Sequence, residues 1–304
     1  MVRSFNERII NIKTKNGDVI HSVYNYFKEN TPLIIIPPQF EKTIRTNLTL
    51  MIYLINNGFN VLRYDNRYHN GNSTGDIEDY NLKTALEDLE IVIQYVKSDS
   101  SIYNNNGIGL LGVSITSRII YRYLSDSVKD IDVFLTLVGV VNMQYTLNSI
   151  IGFDIVDEVI KEPKKIWGTR KVIKYPVNWD NFIKILINEN MHNLETANED
   201  IQKIKTPIYI IASEDDKWVD IEEYEKAFIT NKEILKGVYK LPGAGHELYK
   251  NPEAAKFAAE QIVKVFQEFW GIESEQHIIK PTITDIIAHN KKERVREKQY
   301  ENVG

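Results

Sequence analysis

Hydrophobic positions change their spacing along the chain in a way that predicts strands alternating with helices. Short, wholly apolar runs such as Leu33–Ile36 and Ile108–Val113 are typical of strands buried on both faces of a sheet. Between such runs, apolar residues recur at intervals of three and four, most clearly from Leu82 to Val96, which predicts an amphipathic helix. This alternation predicts the α/β class, with a mostly parallel central sheet covered by helices.

The same patterns predict the other elements of this sheet. Near the N-terminus, Ile9–Ile12 and Val19–Tyr26 flank Asn16-Gly17, a two-residue turn signal that predicts a β-hairpin. The further predicted strands are 60–64, 133–138, 208–212 and 238–241, and the further predicted helices are 44–57, 115–124, 221–230 and 252–270.

The alternation is interrupted between residues 140 and 204, where apolar residues cluster without a strand-like run. We expect a mostly helical insertion that forms a lid over the sheet. The predicted domain organisation is therefore a core made of residues 1–139 and 205–304, with a lid insertion at 140–204.

The tail, residues 285–300, is dense in charged side chains. Such a run is typical of a solvated helix or a frayed end, and the alternative is a docking surface for a partner subunit.

Composition narrows the class of protein. The 304 residues are 43% hydrophobic and 26% charged, enough for a sizeable core. The net charge of -5 argues against nucleic acid as the main partner, and the absence of cysteine excludes thiolate nucleophiles and zinc–thiolate sites. We predict no cofactor and no metal. No apolar run is long enough for a signal peptide or a membrane-spanning helix, so a cytoplasmic location is expected.

One serine lies where a nucleophile is expected. Gly112-Val113-Ser114-Ile115-Thr116 follows a predicted buried strand and opens a predicted helix. This is the context of a nucleophile elbow, in which a sharp turn raises the serine hydroxyl above the edge of the sheet. The last glycine of G-x-S-x-G is replaced by Thr116, and taken alone the serine could instead cap the helix.

A serine nucleophile needs a base and an orienting carboxylate, and candidates for both follow later strands, in the order serine, acid, histidine that this kind of fold uses. Asp216 lies in the loop after strand 208–212, and Asp215 and Glu214 are the alternatives for the acid. His246 lies in a glycine-rich loop after strand 238–241, and the alternative for it is an exposed loop histidine. The predicted catalytic triad is Ser114, Asp216 and His246.

Backbone amides are expected to stabilise the oxyanion formed during acyl transfer. Ile115 supplies one because it follows the nucleophile. Pro37 and Pro38 have no N–H, so Gln39 or Phe40 must supply the other, and Phe40 is preferred. The polar loop 65–73 is expected to tie itself together rather than touch substrate, and His69, which precedes Ser114 in the chain, is not expected to be the base.

With these residues in hand, the chain resembles the acyltransferase of bacterial bioluminescence, the acyl-carrier-protein thioesterase component of the fatty acid reductase complex, within the α/β-hydrolase superfamily. Members of that family also lack the full G-x-S-x-G. The resemblance extends over nearly the whole chain, through 57–65, 71–75, 138–142, 152–154, 216–219, 243–248 and 279–281.

The resemblance implies an α/β-hydrolase fold and an acyl-serine enzyme that takes a long fatty acyl group from acyl-carrier protein or acyl-CoA. The acceptor would be water or another molecule, and partner enzymes of a fatty-acid-processing complex are implied. The alternatives are a carboxylester hydrolase of the same fold and a non-catalytic scaffold subunit. Pro37-Pro38-Gln39, Gly112-Val113 and the segment around 161–200 depart from the family pattern.

Overall fold

The central feature of the computed structural model, which describes residues 4–103, 105–126, 131–272 and 278–301, is an eight-stranded sheet. Its strands are β1 (Asn6–Lys13), β2 (Val19–Tyr26), β3 (Leu33–Ile36), β4 (Asn60–Tyr64), β5 (Ile108–Val113), β6 (Val133–Leu137), β9 (Ile208–Ser213) and β10 (Leu235–Leu241). Their order across the sheet is β1-β2-β4-β3-β5-β6-β9-β10. The pairs β1–β2 and β2–β4 are antiparallel, and all other neighbouring strands are parallel.

Helices cover both faces of this sheet. They are α1 (Leu48–Asn56), α2 (Leu82–Ser98), α3 (Thr116–Ser125), α8 (Glu222–Ala227), α9 (Pro252–Trp270) and α10 (Ile283–Glu301). Alternate strand residues belong to separate apolar clusters: Ile35 packs with α2 and α3, while Ile34 packs with α1 and α9. The predicted mixed α/β fold with a mostly parallel sheet is confirmed.

The segment 140–204 contains four helices and a small additional sheet. The helices are α4 (Met143–Ile151), α5 (Ile155–Lys161), α6 (Trp179–Asn188) and α7 (Leu194–Ile201). The strands β7 (Thr169–Val172) and β8 (Tyr175–Asn178) form an antiparallel hairpin that the sequence analysis did not predict. Only Val172 and Val177 of these strands are buried, so the hairpin lacks the apolar runs that revealed the central strands.

The tail is helical, but it is anchored more firmly than a solvated or frayed end would be. Glu293 of α10 is 3% exposed and forms an ion pair with Arg63 of β4, with 2.7 Å between Oε1 and Nη2. Just before α10, the Asn57 side chain donates to the carbonyl of Ile279 and accepts from its N–H. This part of α10 is therefore anchored at Glu293, while the neighbouring Lys291, Lys292 and Arg294 are exposed, as expected of a solvated helix.

Among the described residues, none of the helices combines the length and apolarity that crossing a membrane requires. The cytoplasmic location and the division into core and lid stay predictions.

Candidate active site

Ser114 lies on a sharp turn between β5 and α3. Its φ is +58°, in the left-handed region that residues other than glycine rarely adopt. The turn is held from both sides, since Ser114 N–H donates to the Leu137 carbonyl and the Ser114 carbonyl accepts from Val140 N–H. Gly139 must be a glycine here, because a Cβ at this position would lie 2.3 Å from Ser117 Oγ. The backbone thus presents the Ser114 hydroxyl at the carboxyl edge of the sheet.

Two loops from the same edge bring His246 and Asp216 to this hydroxyl. Ser114 Oγ lies 2.7 Å from His246 Nε2, and His246 Nδ1 lies 2.7 Å from Asp216 Oδ2. Because an ionised carboxylate only accepts hydrogen bonds, Nδ1 carries the proton and Nε2 of the neutral ring is free to accept one from Ser114. The three side chains form one continuous hydrogen-bonded chain.

Asp216 is the carboxylate that reaches the imidazole. Its Oδ1 accepts the N–H groups of Trp218 and Val219 at 2.8 and 3.1 Å, which leaves Oδ2 for His246. The Trp218 ring lies against the imidazole, with 4.7 Å between ring centroids. The two alternatives for the acid point elsewhere, since Asp215 is exposed and Glu214 pairs with Lys240.

The predicted oxyanion donors belong to two buried residues, Ile115, which follows the serine in the chain, and Phe40, which lies in the loop after β3. In the part of the chain that the structure describes, neither Phe40 N–H nor Ile115 N–H donates to a protein acceptor. The loop that carries Phe40 is tied to the serine turn, because Thr116 Oγ1 donates to the Pro38 carbonyl at 3.0 Å. Thr116, which replaces the usual glycine, therefore links the two predicted halves of the oxyanion site.

The chain as a whole is similar to a family of known proteins. A family model described as "Acyl transferase" matches residues 9–302. The chain belongs to this acyl transferase family. Relatives named acyl transferase include one from Photobacterium leiognathi, 28% identical over 88% of this chain and 83% of that protein. Another, from Vibrio harveyi, is 24% identical over 93% of this chain and 92% of that protein.

Solved structures agree on the fold of this protein. Est1E from Butyrivibrio proteoclasticus superimposes with a TM-score of 0.68 over 86% of this chain and 99% of that one, at 16% identity. An esterase from Pyrococcus furiosus gives a TM-score of 0.59 over 87% and 93%, at 18% identity. The protein therefore has an α/β-hydrolase fold, and its family is one of acyl transferases.

Loop 65–73 contacts the loop that carries Phe40, a contact that was not predicted from the sequence. Glu41, next to Phe40, has a φ of +64°. His69 Nε2 accepts the Glu41 N–H at 2.8 Å, and Asn70 Nδ2 donates to the Glu41 carbonyl at 2.9 Å. Loop 65–73 therefore binds both the backbone N–H and the backbone carbonyl of Glu41, the residue with the strained φ. The only signal in the sequence was a histidine, His69, in a loop at the predicted edge of the sheet, and its position in the chain does not reveal that Glu41 is its partner.

His69 is expected to make the stability of this protein depend on pH. Burial lowers the pKa of His69 from 6.5 to about 4, against a smaller opposing effect of a hydrogen bond with the Asn70 backbone. Below pH 6.5 the unfolded chain therefore binds a proton at His69 that the folded protein does not bind. The free energy of unfolding should fall by up to about 3 kcal/mol from this one group between about pH 6.5 and pH 4.

The measurement is urea unfolding at several pH values in this window, with His69→Gln as the comparison. Glutamine keeps an acceptor for Glu41 N–H but does not titrate. The free energy of unfolding of the variant should therefore decrease less toward pH 4 than that of the wild type. Carboxylates that titrate in the same window affect both proteins equally. Identical pH dependences would contradict the assignment.

Among the described residues, no group of three or more histidine or acidic side chains is arranged to hold a metal ion.

Proposed function

We propose that this protein is a serine acyltransferase or thioesterase that cleaves long-chain fatty acyl thioesters through an acyl-serine intermediate. The observation that carries the proposal is the chain of two 2.7 Å hydrogen bonds from Ser114 through His246 to Asp216. Such a chain activates a hydroxyl that is otherwise a weak nucleophile. Membership of the acyl transferase family supports the same reaction class.

In the proposed reaction, Ser114 Oγ attacks the thioester carbonyl while its proton passes to His246 Nε2. Asp216 holds the imidazole tautomer and stabilises the imidazolium that forms. Collapse of the tetrahedral intermediate breaks the carbon–sulfur bond, and the imidazolium returns the proton to the leaving thiolate. Water or another acceptor then attacks the acyl-serine carbonyl while its proton passes to His246 Nε2. As the second tetrahedral intermediate collapses, the bond from the acyl carbon to Ser114 Oγ breaks, His246 returns the proton to Ser114 Oγ, and the acid or the transferred acyl product is released.

The oxyanion of each tetrahedral intermediate is proposed to accept hydrogen bonds from Phe40 N–H and Ile115 N–H. A single preorganised donor of this kind is typically worth a factor of about 100 to 1,000 in rate. Its alignment is supported by the contacts of Pro38 with Thr116 and of Glu41 with His69.

The segment 140–204 is proposed to act as the lid that surrounds the acyl chain. It is tied to the loops of the site at two points. Thr146 Oγ1 donates to the carbonyl of Trp218, the residue whose ring lies against His246. Phe182 of α6 packs against Tyr80, which in turn packs against Phe40. Closure over an apolar chain would exclude water until the acceptor enters.

The donor is proposed to be acyl-carrier protein or acyl-CoA, and chain length should control the rate. Each buried methylene contributes about 0.8 kcal/mol, so adjacent even-numbered chains should differ by about 15-fold at most, and short acyl groups should be rejected strongly. The test measures kcat/KM for acyl-carrier-protein and pantetheine thioesters of increasing length, beside p-nitrophenyl esters of the same acids.

Long-chain thioesters are expected to be the better substrates. A preference for short activated esters alone would instead identify a carboxylester hydrolase. If no thioester or ester is cleaved and no serine-directed inhibitor labels the protein, the non-catalytic scaffold alternative gains. Adding an alcohol to the same assay separates transfer from hydrolysis, because only transfer yields an ester product.

A further inference from the structure

A strongly basic surface lies within the segment 140–204. Residues 164–174, which we call the basic hairpin region, contain Lys164, Lys165, Arg170, Lys171 and Lys174 and no acidic residue, in a chain whose net charge is -5. All five of these side chains are exposed. Within the described chain, Lys164 and Lys171 form no ion pair, so their charges face solvent without a neutralising partner.

The basic hairpin region has a firm buried side. Trp167, Val172 and Val177 pack into the core, while Lys165 and Arg170 lie over the Trp167 ring at 4.2 and 5.9 Å. Asp180 Oδ2 accepts the N–H groups of Trp167 and Gly168 at 3.0 and 2.8 Å. The outward charges are therefore carried on an ordered backbone.

Two large apolar side chains are exposed among these charges. Ile166 is 85% exposed and Ile173 is 45% exposed. Ile173 also has a φ of +59°, because Ile173 and Lys174 form the two-residue turn between the paired residues Val172 and Tyr175, and turns of this kind use positive φ. Exposed apolar side chains surrounded by polar ones are typical of surfaces that bind other proteins. Their presence here favours a surface that is covered when a partner binds.

The tip of the hairpin lies beside the candidate active site. Lys174 Nζ is 4.0 Å from Glu41 Oε2, and Glu41 follows Phe40, the proposed oxyanion donor. At the other end of the hairpin, Thr169 Oγ1 donates to Glu78 Oε1, close to Tyr80 in the chain. A partner bound on the basic hairpin region would therefore be positioned at the rim of the site that contains Ser114.

We propose that the basic hairpin region docks an acidic carrier protein, which delivers the acyl thioester to Ser114. This inference rests on the proposed function, and it assigns to that function a surface for its donor. Carboxylates on the carrier would face the lysines, Ile166 and Ile173 would bury against its apolar patches, and its prosthetic arm would reach past Glu41 to Ser114.

The spread of the charges favours a protein over a free nucleotide. Four residues of a strand extend about 13 Å, and the charges continue beyond β7 to Lys164. A nucleotide phosphate is normally held by donors that converge on one point. Here the side chains are separated, exposed and interleaved with isoleucine, an arrangement that fits a polar-rimmed protein interface.

The test is the double charge reversal Lys164→Glu/Lys171→Glu. Its matched control is Lys203→Glu/Lys236→Glu, which makes the same change at two exposed positions, one before β9 and one at the start of β10. Both lie toward the amino ends of these strands, whereas the loops that carry Asp216 and His246 follow their carboxyl ends. The substrates are hexadecanoyl-acyl carrier protein and hexadecanoyl-pantetheine, which share the reacting thioester but only the first of which has a protein to dock.

For the carrier-protein substrate, the hairpin variant should raise KM about tenfold or more at low ionic strength, with little change in kcat and a smaller effect at high salt. Both kinetic constants for the pantetheine thioester should stay unchanged, and the control variant should behave as wild type. Equal losses on both substrates, or no loss on either, would overturn the proposal.

Two further measurements distinguish the docking proposal from the proposed function and from binding to a lipid surface. Wild type and hairpin variant are titrated with holo-acyl carrier protein, which has no acyl group, so the loss of binding is visible even if Ser114 never forms an acyl intermediate. Absence of turnover with any thioester would sink the proposed function, whereas unchanged carrier binding would sink the docking surface. A third experiment tests cosedimentation with vesicles of phosphatidylcholine and phosphatidylglycerol. If the hairpin variant loses vesicle binding but still binds the carrier, the basic hairpin region binds a lipid surface and the carrier assignment is overturned.

Discussion

Ser114→Ala is expected to lower kcat on acyl thioesters by about 10⁵-fold or more and to abolish covalent labelling by a fluorophosphonate. The hydroxyl is the atom that would hold the acyl group, and the only described hydrogen bond of Ser114 Oγ is the one to His246 Nε2. Removing it leaves the imidazole without a proton to accept. The oxyanion donors and the binding surfaces would remain and account for the residual rate.

The control is Ser98→Ala, an equivalent change at an exposed position at the end of α2. It should label and turn over like the wild type. The melting temperature of Ser114→Ala should lie close to that of the wild type, because both side chains tolerate the φ of +58° equally poorly. Labelling that persists in a folded Ser114→Ala protein would disprove the role proposed for this serine.

Glu293→Ala is expected to destabilise the protein by about 3 kcal/mol or more. The carboxylate is buried against Arg63, which is itself fully buried and also donates to the Ile44 carbonyl and to Asn25 Oδ1. Without Glu293, a guanidinium in the interior loses the negative charge that compensates it. Equilibrium unfolding in urea measures this loss.

The comparison is Lys292→Ala, which changes a neighbouring but exposed charge on α10 and should alter stability by less than about 0.5 kcal/mol. Glu293→Gln should lie between the two, since it retains an oxygen acceptor for Arg63 but not the charge. Deleting residues 285–304 should therefore lower stability, so any effect of the deletion on partner binding must be compared with Glu293→Ala. Equal stabilities of the Glu293 and Lys292 variants would contradict a structural role for the ion pair.

Much of the fold follows from local patterns. The wholly apolar runs 33–36 and 108–113 lie within the centre of the sheet, and Asn16-Gly17 marks the turn between β1 and β2. The β7–β8 hairpin was missed because its strands are mostly exposed, and an exposed basic strand has no distinguishing hydrophobic period. The central strands were predicted and this hairpin was missed for the same physical reason, because only buried strands have a recognisable pattern of apolar residues.

The candidate site is a more mixed case. Strand ends that share one edge of a sheet bring Ser114, Asp216 and His246 into the same region, and that much is implied by chain order. The preference for Asp216 over Asp215 depended on a short pattern, and the hydrogen bond to His246 now supports it. The catalytic roles of all three residues, and of Phe40 and Ile115, stay predictions until the variants are measured.

Order and alternation of apolar residues were sufficient, without coordinates, to predict the layered sheet and the order of the loops along its edge, because burial repeats with the period of each element. Three features depended on the folded chain: the pairing of Glu293 with Arg63, 230 residues away, the hold of His69 on Glu41, and the position of Lys174 beside that same residue. Each of these contacts joins groups that are far apart in the chain. No local sequence pattern specifies which polar partner a side chain will have once the chain is folded.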